Sequence, residues 1–155
     1  MLSQLELEFA QIKLRWRIHS ELFGEEENVL LLNRCGAPVF ALLQNLLIND
    51  ILAALCRLTD PPKSAGQENN SIHNQYEKRK HNLSQADRTE IDFLLALLEG
   101  RMDNIRTLRN KLLSHNDLGV SELAITLPTV SFGEIDQLIE LIPNVLNRIF
   151  GVTGN

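Results

Sequence analysis

A chain of 155 residues carrying 15 Lys and Arg against 20 Asp and Glu has a net charge of -5, too acidic for a general nucleic-acid coat, which is usually basic. It is long enough to fold as one domain, residues 1–155, without disulfide staples. Cys35 and Cys56 lie in or beside apolar helical segments without CxxC or Cys/His spacing, so they read as reduced core thiols and argue against a disulfide framework or a zinc site.

The N-terminus, Met1 to Glu8, is acidic and amphipathic and lacks the cationic start of a signal peptide. No unbroken apolar run approaches about 18 residues. The expectation is a cytoplasmic protein with no membrane partner.

Leu2 to Phe23 places Leu2, Leu5, Phe9, Ile12, Trp16 and then Ile18 or His19 at helical spacing and stops at Gly24, which predicts an amphipathic helix with His19 on its surface. Val29 to Asn33 reads as a short helix. Gly36-Ala37-Pro38 then opens the most apolar segment, Val39 to Leu58, where apolar residues fall on almost every side and Gln44, Asn45, Asn49 and Asp50 interrupt them. Such a helix is expected at the centre of a bundle. Its end is set by Thr59-Asp60-Pro61-Pro62, because two prolines forbid continuation.

Lys63 to Asn70 reads as a polar loop, and Ser71 as the cap of a modest helix reaching about Lys80. Ser84 with Asp87 resembles a capping box and opens a long helix to about His115. Its stripe of Ile91, Leu95, Leu98, Met102 and Ile105 steps by four and three. Asn116 to Val130 is a connection, with Leu123 to Leu127 extended at most. Ser131 with Glu134 caps the last helix, whose Ile135, Leu138, Ile139, Ile142, Leu146, Ile149 and Phe150 share one face; Pro143 is expected to kink it. The pattern predicts an all-α, antiparallel four-to-five-helix bundle.

One place departs from this plain amphipathic scheme. On the long helix the next positions of the stripe are Arg109 and Leu112, so a guanidinium stands where an aliphatic side chain was due. At about 100° per residue, Arg109 lies roughly 40° to one side of Ile105 and His115 roughly 80° to the other. Both edge an apolar arc, where a charge needs a partner or a task. Arg101, Arg106 and Lys111 surround the pair, offering phosphate contacts, and Lys78-Arg79-Lys80-His81 forms a second basic cluster read as a solvated face.

Within one chain Arg109 and His115 are separated by about 9 Å along the axis and about 120° around it, so they point apart. They converge most easily across a two-fold axis, and a site built from them therefore predicts a homodimer. The competing reading of Arg109 is an ion pair inside its own chain, with Asp50, Asp103 or Asp117; that of His115 is an imidazole favoured by the helix C-terminus. His73 and His81 lie near loops and lack ligand spacing.

Arg57-Leu58-Thr59-Asp60-Pro61, the Arg-Asn-x4-His pattern within Leu108 to Asp117, and Leu127 to Ile135 together resemble the HEPN family, more narrowly its AbiU-like abortive-infection branch. The resemblance implies a helical bundle, commonly dimeric, and in many members a metal-independent ribonuclease without cofactor, serving defence or toxin-antitoxin pairs. The partners it implies are RNA, a second copy and an antitoxin protein. Carried over, Arg109 binds the scissile phosphate, Asn110 orients, and His115 exchanges a proton with the 2′-hydroxyl or the leaving oxygen. Asp117 stands where some toxin members carry a tyrosine. HEPN domains also occur as noncatalytic modules that bind nucleotide or protein, which is the alternative.

Overall fold

The computed structural model describes residues 3–113 and 130–151. They divide into two compact units, Met1–Leu55 and Cys56–Asn155. Among the described residues there are five α-helices: α1 (Gln4–Phe23), α2 (Glu26–Leu58), α3 (Ile72–Arg79), α4 (Gln85–Leu113) and α5 (Phe132–Phe150). A short hairpin of β1 (Lys63–Ser64) and β2 (Gln67–Glu68) lies between α2 and α3, and a 3-10 turn, Lys80–Asn82, follows α3.

In the first unit, α1 starts at a complete capping box in which Ser3 Oγ accepts from the Glu6 amide and Glu6 accepts from the Ser3 amide at 2.7 Å. The bond to the Ser3 amide holds the Glu6 carboxyl below its ordinary pKa. The buried stripe of α1 is Leu5, Phe9, Ile12, Trp16, His19 and Phe23. His19 therefore occupies the stripe that the sequence reading offered to Ile18 or His19, rather than the surface. Its ring stacks on Trp16 at a centroid distance of 5.3 Å, and burial lowers its pKa. An imidazole is favoured here in its neutral form, because its flat ring packs like an aromatic and its charge would be desolvated.

The short helix over 29–33 and the long one from Val39 are a single element, α2, interrupted only at Gly36 (φ 170°, ψ 66°). Pro38, lacking an amide hydrogen, stands two residues beyond the break. The burial that a central position requires is found at its end, where Ile51, Leu52, Ala54 and Leu55 are buried, and not before it. Leu30, Leu31, Val39, Leu42 and Leu46 are all more than half exposed, and Cys35 is exposed too, against its reading as a core thiol. Among the described residues, α2 is long and apolar enough to cross a membrane by length and composition, although Asn33, Arg34, Gln44, Asn45, Asn49 and Asp50 divide it into short apolar runs.

In the second unit the stripe of α4 is buried as its spacing predicts: Ile91, Leu95, Leu98, Met102 and Ile105. It packs against α5, whose Ile135, Leu138, Leu141, Ile142, Val145, Leu146 and Ile149 are also buried. Ser131 and Glu134 form the expected capping box, and Gly151, at φ 70°, closes α5 in the left-handed region that glycine enters without a Cβ penalty. The helix runs through Pro143 as one element.

The hairpin replaces the polar loop expected over Lys63 to Asn70. Ala65 (φ 49°) and Gly66 (φ 81°) make a two-residue turn with both φ positive, the geometry that matches the twist of a tight hairpin. Alanine is a rare choice at such a position, which is why the sequence pattern did not announce it. Asn69 locks the connection: its side-chain amide donates to Pro61 O and Ser64 Oγ, both at 2.7 Å, and its backbone amide donates to Pro62 O at 2.9 Å.

Candidate functional site

Arg109 and Asn110 lie on the last described turns of α4, Arg109 half-buried and Asn110 exposed. The Arg109 guanidinium is set against the Cys56 thiol, whose pKa burial pushes up while the charges of Arg109 and Arg106 pull it down. Arg109 Nε is buried and has no hydrogen-bond partner. Of the carboxylates offered as its ion-pair partners, Asp50 is bound to Arg15 at 2.9 Å. Among the described residues no carboxylate forms an ion pair with Arg109. His115 and Asp117 lie outside the described residues, as does the segment Leu123 to Leu127.

The three basic residues expected to contact phosphate have different surroundings. Arg101 donates to Gln137 on α5, beside a cavity of about 210 Å³ that Leu97 and Glu140 also line. Five residues of helix turn it about 140° away from Arg106, so the two do not share a surface. Lys111 is half-exposed on the final turn. Arg106 is held most tightly: Nη1 donates to Glu99 Oε2 at 2.6 Å, and Nη2 donates to Glu99 Oε1 at 3.1 Å and to Thr59 O at 2.9 Å.

Glu99 and Arg106 stand seven residues apart and so on one face of α4, two turns apart. His73 of α3 joins them, its Nε2 lying 2.6 Å from Glu99 Oε1. Burial works to raise the Glu99 carboxyl, but hydrogen bonds from Arg106 and His73 outweigh it and hold the group below the usual carboxylate range. The Glu99 bond in turn raises Arg106. This trio borders a pocket of about 320 Å³ completed by Thr59, Pro61 and Pro62.

Sequence reasoning missed this pocket. His73 was set aside for lack of spacing, and its partner is 26 residues away, a separation that no local pattern encodes. The pairing of Glu99 with Arg106 left a usable signal, since an acid and a base at i and i+7 share a helix face. Thr59 and Pro61 belong to one of the stretches that carried the family resemblance, and the structure gives them a place on the pocket wall.

The described residues form an all-α protein, as expected of a HEPN-type helical bundle. The family model described as AbiU2 HEPN matches residues 1–153, and the chain belongs to that family. Membership suggests an abortive-infection, defence context. No curated protein and no solved structure gives a significant match to the chain.

Proposed function

We propose that the chain is a metal-independent RNA endonuclease that acts as a homodimer, each site combining Arg109 and Asn110 with His115 across a two-fold axis. The observation that carries this reading is Arg109: a half-buried cation whose Nε has no hydrogen-bond partner and for which no carboxylate is an ion-pair partner among the described residues. A cation held in this way is ready to receive an anion, and a planar guanidinium suits the oxygens of a phosphate.

In the reaction the RNA 2′-hydroxyl attacks phosphorus, giving its proton to the His115 imidazole. The O2′–P bond forms and the P–O5′ bond breaks. The leaving O5′ takes up a proton from water, the imidazolium returns its own proton to water, and the products are a 2′,3′-cyclic phosphate and a 5′-hydroxyl. An imidazole of pKa near 6.5 is suited to both proton movements at neutral pH. Arg109 stabilises the charge that grows on the phosphoryl oxygens, and Asn110, exposed beside it, orients the strand.

Incubation of the purified full chain with tRNA and messenger RNA in the presence of EDTA tests the proposal. Wild type should cut, while Arg109→Ala and His115→Ala, both still helical by circular dichroism, should each cut at least 100-fold more slowly, the range lost when one transition-state donor is removed. Intact RNA with the wild type would defeat it. The alternative, a noncatalytic module that binds nucleotide or a protein, draws support from Arg106 and Arg101, whose side chains are engaged by Glu99 and Gln137 and leave a smaller cationic footprint. That reading predicts RNA or partner binding without cleavage.

A further inference from the structure

The pocket beside Arg106 has three properties that together specify a ligand. Its volume, about 320 Å³, is at the small end for ligand sites and admits one ring system rather than a duplex. Pro61 and Pro62 form a rigid apolar wall, pinned by the Asn69 bonds to both of their carbonyls. The lining also includes the Glu99 carboxylate, which repels a phosphate and accepts from an N–H donor.

Counting the acceptor sites of Glu99 refines the donor. An ionised carboxylate offers about four lone-pair positions. Oε1 receives His73 Nε2 and Arg106 Nη2, and Oε2 receives Arg106 Nη1. One position on Oε2 is left for a ligand. Arg106 precedes Arg109 by three residues, which on a helix makes them neighbours about 5–6 Å apart at Cβ. Both charges act on the same Cys56 thiol. A phosphate resting on Arg109 therefore brings its adjoining nucleotide within reach of Arg106 and the pocket it lines.

Resting on the ribonuclease reading above, we propose that this pocket receives the unstacked nucleobase next to the scissile phosphate and selects bases with an exocyclic amine over uracil. An amine donates to the open Oε2 position, while the prolines cover a face of the ring, the combination by which flipped bases are read. Uracil presents an N–H flanked by two carbonyl oxygens, and these meet the carboxylate unfavourably. Glu99 is the specificity-determining residue; Arg106, His73 and Thr59 are positioning residues that fix its plane.

Cytidine and uridine 3′-monophosphates, equal in size and charge, differ only at the exocyclic group and the ring nitrogen beside it. Titrated calorimetrically into the full chain, cytidine monophosphate should bind about tenfold more tightly, the discrimination of one good base contact. Glu99→Gln, whose amide also donates, should erase or invert the ratio, and Arg109→Ala should weaken both nucleotides and leave the ratio intact. Equal binding of the two nucleotides by the wild type, or binding of neither, overturns the proposal, and this arm needs no variant to fold. A preference unchanged in a folded Glu99→Gln protein overturns it as well. A cytidine preference accompanied by no cleavage of any RNA instead removes the ribonuclease reading and leaves the base pocket standing.

Discussion

Residues 35–48 of α2 and the helices α4 and α5, which pack on each other, are all rich in aliphatic side chains, yet one region exposes them and the other buries them. Between Cys35 and Ile48 there is no charged residue, so no polar face tells the helix which side belongs inside. Val39, Leu42 and Leu46 end up 66%, 60% and 58% exposed. On α5 the same kinds of residue alternate with Asp136, Glu140 and Arg148, and Ile135, Leu138, Leu141, Ile142, Val145, Leu146 and Ile149 are buried, with Ile139 half-buried. Burial here follows the contrast between faces, and apolar content alone does not determine it.

The comparison breaks most directly in stability. Ile142→Ala, at a fully buried position, should cost about 2–5 kcal/mol by chemical denaturation, from lost transfer energy and the cavity left behind. Leu42→Ala should cost less than about 0.5 kcal/mol under the same conditions, as exposed positions do. Equal losses would mean that α2 is covered in solution by something that protects Leu42. A middle case sharpens the picture: Tyr76→Phe removes the 2.8 Å bond from the phenol to Asp92 and should cost about 1–2 kcal/mol. Burial and this bond push the Tyr76 phenol up to about 12, so its absorbance should resist titration until well above pH 10.

A smaller effect, about 1 kcal/mol, is expected for Ser131→Ala, which strips the cap of α5 while leaving its packed face unaltered. A loss several times larger would show that the position of the whole helix depends on its first turn. The smallest effect is in the first unit and depends on pH. His19 has a folded pKa below its ordinary 6.5, so the unfolded chain binds the extra proton first. Stability from this residue is complete above pH 6.5 and declines as pH falls through that value toward the lower folded pKa. Melting curves at pH 7.5 and 5.5 should separate for the wild type and converge for His19→Phe.

Much of the fold was legible because its signals are local. Ser3 was not recognised as a cap, but Ser71, Ser84 and Ser131 each announce a helix start within three or four residues, and all three helices begin there. The stripe of α4 followed from spacing alone, whereas on α5 spacing named five of the buried residues, missed Leu141 and Val145, and included Ile139 and Phe150, which are only half-buried. The hairpin escaped because Ala65 carries none of the usual turn chemistry. Arg109 was found as a cation interrupting a stripe, whereas the pocket joins Thr59, His73, Glu99 and Arg106 from separate segments, and tertiary packing alone brings them together.

The two thiols differ in a way that has practical value. Cys56 is fully buried and Cys35 is exposed, so a maleimide dye added to the folded, unmodified protein should attach at a single place. That label would sit at the edge of the uncharged stretch of α2, where its emission reports on whatever approaches those exposed leucines, whether a second copy, a lipid surface or solvent alone.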